Sequence, residues 1–496
     1  MVTFFVAFLV SLLVALVLTW RVRERALAWG WLDQANSSRK VHVRAVPRLG
    51  GIGIVGGFFA PLCALFLVDS GVGDQFLAQT TLIVGLFVGG AIIAGLGFYD
   101  DLRGASAKLK FSVQFAVALG LYALGFRIEV LANPFGAELT LGLLSLPLTV
   151  LWVVGVINAL NLIDGLDGLA GGVAFFGVGT HFLLALMRGD VLLCLLMVSL
   201  AGAILGFLVF NFNPASIFMG DTGSMFLGFV LAAVSIKTSS KSGTAVALLV
   251  PVMALGLPIM DTLLAMVRRS LLGRPMFSAD REHIHHRLMS RLLLSHRTTV
   301  LVLYALCTLF MVTALALNFA NSVQSALLLS GIGVVIMVLM RKLGYLDMLR
   351  HMDVVQQTRQ RNLELRSLVR SVIGAVRDAG SLQEVWNAVR PLSTGLSLSA
   401  LELRLRRPHE DLDGGVVFES QHPDAGAAAA WEVRLDVKEA DILYGALRLV
   451  WRDGRAAIDR DEELALEVVA DAVAERVGQL VALEAAEPQR IIALRR

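Results

Sequence analysis

Long apolar runs separated by short polar segments fill the chain up to about residue 341. A transmembrane helix needs about 20 predominantly apolar residues, and we predict eleven such spans, the eighth being short. They cover residues 2–20, 50–68, 80–98, 111–126, 144–161, 169–187, 191–210, 223–236, 244–267, 299–319 and 323–340. The first span runs into a charged segment at 21–25 without a small-residue cleavage site, so we interpret it as a retained helix.

Beyond residue 342 the pattern becomes that of a water-soluble domain. Helical patterns occupy 347–379, 381–391 and 460–484. Apolar and polar residues alternate, as is typical of strands, over 401–405, 416–418, 431–437 and 446–451. One sheet with flanking helices follows, which is an α+β arrangement.

We therefore predict three parts. They are a transmembrane domain over 1–345, a linker helix over 346–380 and an α+β domain over 381–496. The composition agrees with a membrane protein, because hydrophobic residues make up 56% and charged residues 17% of the chain, against about 45–50% and about 25% in soluble proteins. Cys63, Cys194 and Cys307 each stand alone in an apolar run, which excludes a disulfide framework.

Basic residues are distributed unevenly between the two sets of loops. The loops after spans 1, 3, 5, 7 and 9 carry 17 Lys and Arg, whereas those on the other side carry Arg127, Arg188, Lys237 and Lys241. Cytoplasmic loops are enriched in Lys and Arg. We therefore expect the amino terminus outside and the carboxy terminus in the cytoplasm, with a basic cytoplasmic face that suits anionic lipids and substrates.

Four polar residues recur every third position at the end of the fifth span: Asn158, Asn161, Asp164 and Asp167. At helical spacing they would gather on one side. A carboxylate at the rim of a bilayer is costly unless it meets water, a cation or a partner, so we favour a functional interpretation. The alternative is a helix terminus with the two aspartates as exposed caps among turn glycines.

Two further acidic sites have the same setting. Asp100 and Asp101 end the third span, where adjacent carboxylates could bind a metal, act as a base or end a helix. Asp221 lies between glycines that would let it approach a phosphate or its metal, although a turn with an N-cap explains it too. Asp261 lies within the ninth span, about two turns before Arg268 and Arg269, and could simply form an ion pair with them.

The cytoplasmic loop 268–298 combines arginines and histidines without thiols: Arg281, His283, His285, His286 and Arg287. Arg forks and imidazole donors fit phosphate better than they fit a metal. In the first loop, Lys40, His42 and Arg48 are open between a functional role and ordinary positive-inside charge. The glycines of 51–56 match a dinucleotide pattern, but they open a span and follow no strand, so close helix packing explains them better.

Carboxylates for a hard cation beside Arg and His for phosphate oxygens predict phosphoryl transfer between two anions. Because the groups lie at the membrane interface, we expect a lipid phosphate and a soluble nucleotide derivative as substrates. An ion-coupled transporter is the rival hypothesis. The acids lie at one face and the spans show no evident inverted repeat, which argues against it.

At this point four motifs resemble the polyprenyl-phosphate N-acetylhexosamine-1-phosphate transferases of glycosyltransferase family 4. They are YDD at 99–101, NALNLIDGLDGLA at 158–170, FMGDTGS at 218–224 and HIHHRL at 283–288. The resemblance covers about residues 1–345, with matching order and topology. The HIHHRL motif and PRLGG at 47–51 look like the branch acting on UDP-N-acetylglucosamine, the WecA/TagO type.

The resemblance implies transfer of N-acetylglucosamine 1-phosphate from UDP-N-acetylglucosamine to undecaprenyl phosphate, releasing UMP. It implies Mg²⁺ as the cofactor, with Mn²⁺ as the alternative, and a homodimer. The enzyme would be a multi-pass protein of the bacterial inner membrane that starts a cell-surface polysaccharide, with its active site in the cytoplasm. We expect no nucleic acid partner, and another UDP-N-acetylhexosamine is the alternative donor.

Site roles also follow from the resemblance alone. Asp100 would deprotonate or position the lipid phosphate, with Asp101 supporting the nucleotide or metal, and Asp221 would hold Mg²⁺ with Asp164 nearby. His285 and His286 would act on the diphosphate or sugar. The implied substrate-binding residues are Lys40, His42, Arg48, Lys110, Asn158, Asn161, Asp167, Asn211, Arg281, His283 and Arg287.

The tail over 346–496 exceeds the usual length of this family. Its element order faintly resembles a GAF-type domain, and it contains no cluster of titratable groups with a catalytic pattern. We expect it to bind a ligand or a partner protein and to modulate the catalytic part.

Overall fold

The structure, a computed structural model, describes most of the chain. The described residues are 2–33, 46–67, 71–131, 139–240, 249–275, 282–350, 352–405, 416–421, 431–439, 442–455 and 457–493. Two compact units are present. The first consists of Met1–Arg268 and Phe277–Arg350, and the second of Arg269–Met276 and His351–Arg496.

The first unit is built from helices. They are α1 (Val2–Trp29), α2 (Gly51–Ala64), α3 (Gly71–Leu77), α4 (Thr80–Arg103), α5 (Ala107–Ala123), α6 (Ser145–Leu162), α7 (Leu169–Met187), α8 (Val191–Asn211), α9 (Gly220–Ser240), α10 (Leu249–Ala254), α11 (Gly256–Leu271), α12 (Ile284–Leu292), α13 (His296–Leu317), α14 (Ser322–Lys342) and α15 (Tyr345–Arg350). Two antiparallel strand pairs accompany them: β1 (Leu32–Asp33) with β2 (Val46–Pro47), and β3 (Val130–Leu131) with β4 (Leu139–Thr140).

Seven helices among the described residues are long and apolar enough to cross a membrane. They coincide with predicted spans 1, 3, 5, 6, 7, 10 and 11, so the chain is a multi-pass membrane protein. The other four predicted spans fall on α2, on α5, on α9 and on the pair α10 and α11. The total of eleven stays a prediction, because α2 has only 14 residues and the predicted ninth span is divided between two helices.

Helix α9 lies at the centre of the first unit. Its side chains from Thr222 to Ile236 are buried on every side, which is the pattern of an interior helix and not of an amphipathic one. It packs against α2, α4, α6 and α7. Its amino-terminal end therefore brings residues from several parts of the chain together.

Glycines allow the closest of these contacts. A Cβ at Gly97 of α4 would lie 2.5 Å from the backbone of Asp221, and one at Gly51 of α2 would overlap the backbone of Gly223. The backbones therefore pack in direct contact at the start of α9, as small residues permit between membrane helices. Gly51 thus serves helix packing, as its position at the start of a span suggested.

The second unit is an α+β domain, as the sequence predicted. Its helices are α16 (Met352–Asp378), α17 (Leu382–Val389), α18 (Pro391–Gly395) and α19 (Arg460–Ala493). Its strands are β5 (Ala400–Leu405), β6 (Val416–Gln421), β7 (Trp431–Glu439) and β8 (Ile442–Trp451). They form one antiparallel sheet in the order β6-β5-β8-β7. Alternate residues of β5, Leu401, Leu403 and Leu405, enter a core shared with α16 and α19.

Candidate active site

Asp101 fixes the amino-terminal end of α9. One oxygen of its carboxylate accepts a hydrogen bond from the backbone N–H of Asp221 at 2.8 Å. The other accepts from the backbone N–H of Thr222 at 3.0 Å and from its hydroxyl at 2.6 Å. A carboxylate at a helix amino terminus satisfies free N–H groups and interacts favourably with the helix dipole. These contacts give Asp101 a positioning role.

Lys110 lies between two carboxylates. Its Nζ is 2.7 Å from Oδ2 of Asp100 and 2.6 Å from Oδ2 of Asp221. The other oxygen of Asp100 accepts a hydrogen bond from the backbone N–H of Ala105 at 2.6 Å. The three charged side chains are only 15–23% exposed, so their mutual interaction is stronger than that of a surface ion pair.

Asn161 completes the contacts of Asp221. Its side-chain amide donates to Oδ1 of Asp221 at 3.0 Å and to the hydroxyl of Ser224 at 3.0 Å. One turn earlier, Asn158 donates to Oε1 of the fully buried Gln114 at 2.7 Å. The two asparagines therefore connect α6 to α9 and to α5.

Asp164 and Asp167 do not share a helical face with the asparagines. That prediction is wrong because α6 ends at Leu162, and both aspartates lie in the loop before α7. Asp167 accepts hydrogen bonds from the side chain of Asn213 at 2.9 Å and the backbone of Ala215 at 3.0 Å. It therefore orders the turn between α8 and α9.

The carboxylate of Asp164 accepts no hydrogen bond within the part of the chain that the structure describes. Its pKa rises to about 7, first because it is buried and then because the charges of Asp221 and Asp101 are near. The guanidinium of Arg48 acts in the opposite direction. Asp164 thus lies in an excess of negative charge.

Asn211 anchors the same loop from α8. Its side-chain oxygen accepts from the backbone N–H of Gly168 at 3.0 Å, and its amide donates to the carbonyl of Ile217 at 2.9 Å. With 3% of its surface exposed, it holds two loops together. A direct contact between Asn211 and a nucleotide stays a prediction.

His285 of α12 contacts the loop between α6 and α7 at Gly165. This loop carries Asp164 and Asp167 and is called the acidic loop. A Cβ at Gly165 would lie 2.8 Å from Nε2 of His285. The ring of His285 stacks on that of His283 with centroids 5.7 Å apart and lies 4.3 Å from that of His286. Burial, followed by the charge of His286, lowers the pKa of His285 to about 3, so it is neutral at physiological pH.

Arg287 lies on another side of α12. Its guanidinium donates to the carbonyl of Leu343 at 3.0 Å, pairs with Glu282 at 2.5 Å and covers the ring of Tyr345 at 4.1 Å. These contacts hold α12 against the segment after α14. Lys40, His42 and Arg281 lie outside the described residues, so their predicted roles stay predictions.

Asp261 contacts the residues at the start of α12, and the sequence did not predict this contact. Its carboxylate contacts Nδ1 of His283 at 2.9 Å and accepts from the backbone N–H of Ile284 at 2.8 Å. Arg268, the partner considered from sequence, instead approaches Glu282 at 3.6 Å. The one signal in the sequence was the presence of a carboxylate inside an apolar span.

Two other contributors were also missed because nothing in their local sequence marks them. Gln114 receives the hydrogen bond of Asn158, and Tyr304 of α13 donates its hydroxyl to the carbonyl of Gly168 at 2.6 Å. Both act across long sequence separations. Only the folded arrangement of the helices reveals them.

The acids provide oxygen ligands that suit a hard divalent cation. Among the described residues no group of three or more His, Cys, Asp or Glu is arranged to hold a metal. Mg²⁺, however, is usually bound by one or two carboxylates together with substrate phosphates. Asp221 and Asp164 satisfy this requirement, since Asp164 has no described donor and lies near other carboxylates. The residues present therefore fit Mg²⁺.

Comparisons with known proteins point to the first unit. Residues 83–239 match the model of glycosyl transferase family 4, a range that contains Asp100, Lys110, Asp164 and Asp221. The chain is 41% identical over 322 residues to the probable undecaprenyl-phosphate N-acetylglucosaminyl 1-phosphate transferase of Bacillus subtilis, which covers 65% of this chain and 87% of that protein.

Two further relatives have related names. The decaprenyl-phosphate N-acetylglucosaminephosphotransferase of Mycobacterium tuberculosis is 37% identical over 346 residues, covering 62% of this chain and 83% of that protein. The phospho-N-acetylmuramoyl-pentapeptide-transferase of Shouchella clausii is 34% identical over 260 residues, covering 49% and 75% respectively.

Proposed function

Because the chain belongs to the polyprenyl-phosphate N-acetylhexosamine-1-phosphate transferases of glycosyl transferase family 4, we propose that it transfers N-acetylglucosamine 1-phosphate from UDP-N-acetylglucosamine to undecaprenyl phosphate. The products are UMP and undecaprenyl-diphosphate-N-acetylglucosamine. The observation that carries the proposal is the ammonium of Lys110 between Asp100 and Asp221 at the start of α9. The names of the relatives from Bacillus subtilis and Mycobacterium tuberculosis support the choice of sugar.

The reaction joins two anions, and the site supplies charge to make this feasible. An oxygen of the acceptor phosphate attacks the sugar-linked phosphorus of the donor, and the bond from that phosphorus to the UMP oxygen breaks. Lys110 would contribute positive charge where the phosphates meet, since its carboxylate partners hold it at a fixed position. Positioning and electrostatic stabilisation account for most catalysis of phosphoryl transfer.

Asp100 is better suited to orient Lys110 than to remove a proton. Its two oxygens hold the N–H of Ala105 and the ammonium of Lys110. A phosphate monoester has its second pKa near 6 and is largely ionised at neutral pH. We therefore propose positioning as the main contribution of Asp100.

Asp221 and Asp164 would hold Mg²⁺, which when bound would supply charge that neutralises the donor phosphates. Asn161 keeps Asp221 oriented through its hydrogen bond to Oδ1. Asp101 keeps the helix start in place by binding its N–H groups. Preorganised charge of this kind costs no rearrangement during the reaction.

The histidines would bind the donor. His285 lies against Gly165 and has no hydrogen-bond partner among the described residues, so it can contact a phosphate or sugar group. His286 is its neighbour at 4.3 Å between ring centroids. We propose the cytoplasmic face of the bacterial inner membrane as the site of reaction, because the positive-inside rule predicts that the basic loops face the cytoplasm. We also propose that the reaction is the first step of a cell-surface polysaccharide.

The test uses the purified full chain with undecaprenyl phosphate and a panel of UDP-N-acetylhexosamines, with or without MgCl₂ after treatment with EDTA. We expect UMP release and a lipid product of the mass of undecaprenyl-diphosphate-N-acetylglucosamine, only with the divalent cation present. Asp221→Asn should abolish it. Asp190→Asn, a matched change at the cap of α8, should not. Conversion of a different UDP-sugar alone would correct the donor, and uptake into vesicles without UMP release would contradict the proposal.

A further inference from the structure

We propose that Asp261 is a positioning residue that orients His283 and, through α12, sets His285 against the acidic loop. The proposal rests on the proposed function for its kinetic consequences only. Asp261 belongs to α11 and is 3% exposed. A carboxylate this deeply buried requires polar partners, and the structure supplies two from one short segment.

Both partners lie at the start of α12. Oδ1 of Asp261 accepts the hydrogen bond from the N–H of Ile284 at 2.8 Å, and Oδ2 contacts Nδ1 of His283 at 2.9 Å. His283 occupies the N-cap position of α12, but its own side chain makes no capping hydrogen bond. Asp261 therefore provides from another helix the cap that the local sequence does not provide.

The contact with His283 also determines where its proton lies. An ionised carboxylate only accepts hydrogen bonds, so Nδ1 must carry the hydrogen. Nε2 of the neutral His283 ring is then left with its lone pair. A carboxylate behind an imidazole fixes the tautomer and the ring orientation, as in catalytic and metal-binding histidines.

A continuous series of contacts leads from Asp261 to the acids. The ring of His283 stacks on that of His285 with an interplanar angle of 4°. Nε2 of His285 in turn faces Gly165, beside Asp164. Displacing His283 would therefore shift the surface that we assign to the donor diphosphate, even though Asp261 itself is buried.

The variant Asp261→Asn distinguishes a role of Asp261 in capping α12 from a role in orienting His283. In Asp261→Asn the side-chain oxygen can still cap Ile284, but the amide then presents a donor to Nδ1 of His283. The proton of the neutral ring must move to Nε2. The fold and the cap are retained, and only the tautomer of His283 changes.

The first arm of the experiment needs no turnover. The full chain is labelled with ¹⁵N-histidine, and the His283 signal is assigned by its loss in His283→Gln. We expect the Nδ1–H tautomer in the wild type and Nε2–H in Asp261→Asn. An Nε2–H tautomer in the wild type would overturn the proposal, whether or not the variant folds and whether or not the chain is the proposed transferase.

The second arm measures kcat and KM for UDP-N-acetylglucosamine in Asp261→Asn, His283→Gln and the double variant, with Asp190→Asn as the matched cap control. Loss of an orienting partner typically costs about 10- to 100-fold, and we expect a loss of this size in kcat/KM for Asp261→Asn. In the His283→Gln background the same change should cost less than about threefold, because coupled residues are non-additive. Fully additive losses, or unchanged kinetics in Asp261→Asn, would refute the positioning role. An inactive wild type would instead refute the proposed function, and the tautomer of His283 would then decide whether Asp261 orients the ring.

Discussion

Replacing Lys110 with methionine tests the electrostatic basis of the site. Methionine has a similar length and removes only the ammonium. In the native structure the ammonium is 2.7 Å from an oxygen of Asp100 and 2.6 Å from an oxygen of Asp221. These two oxygens are therefore no more than about 5.3 Å apart, the sum of the two distances.

Without the ammonium the two carboxylates repel each other. Two unit charges 5.3 Å apart interact by about 3 kcal/mol at an effective dielectric constant of about 20, and a shorter separation gives more. The loss of the ammonium also removes an electrostatic stabilisation of about the same size, about 3 kcal/mol, where the two phosphates meet. Since 1.36 kcal/mol corresponds to a factor of ten in rate, we expect Lys110→Met to lower kcat/KM by about 100-fold.

The assay is UMP release by the purified protein with undecaprenyl phosphate and UDP-N-acetylglucosamine. Lys108→Met is the matched control, because Lys108 is exposed and lies two residues earlier on α5. It should stay within about twofold of the wild type. Lys110→Arg keeps the charge and should lose less activity than Lys110→Met. If Lys110→Met stayed within about threefold of the wild type with an unchanged melting temperature, the electrostatic role of Lys110 would be wrong.

Three further predictions concern the framework of the site. Gly97→Ala should lower stability or prevent folding, because its Cβ would lie 2.5 Å from the backbone of α9; Gly95→Ala on the same helix meets no atom within 4 Å and should be neutral or stabilising by up to about 1 kcal/mol in thermal unfolding. Asp101→Asn removes the charged cap of α9 and should cost about 1.5–3 kcal/mol, against about 1 kcal/mol for Ser295→Ala at the cap of α13; equal losses would contradict the special role of Asp101. His285→Gln addresses pH: because burial lowers the pKa of His285 from 6.5 to about 3, the folded state excludes a proton that the unfolded state binds. The wild type should therefore lose stability relative to His285→Gln as the pH falls below about 6.5, and parallel melting curves at pH 7.5 and pH 5 would contradict this.

The sequence was sufficient to locate the acids but not their partners. A carboxylate at the end of an apolar span stands out by its cost, which is why Asp100, Asp164 and Asp221 could be selected. Their hydrogen bonds depend on distant segments. Asp101 binds α9 backbone 120 residues away, and no local pattern encodes that contact.

One error of interpretation has a physical cause. The spacing of Asn158 to Asp167 suggested one helical face, but α6 ends at Leu162 and the last two members lie in a loop. The predicted ninth span falls on α10 and α11, which are separated only at Leu255, and it stays a prediction. Hydropathy measures how apolar a segment is, and it contains no information on where the helix breaks.

The acids and the histidines of the site are held in the protein in different ways. Asp100, Asp101 and Asp221 meet at the start of α9. This helix is surrounded on all sides, so a change there disturbs the whole bundle. The histidines sit on α12, a nine-residue helix whose first turn is tied to α11 by the carboxylate of Asp261. Under the proposed function, mutations around α12 should therefore change donor binding while the acids at the start of α9 stay in place, which makes this segment the one to compare when related enzymes differ in sugar preference.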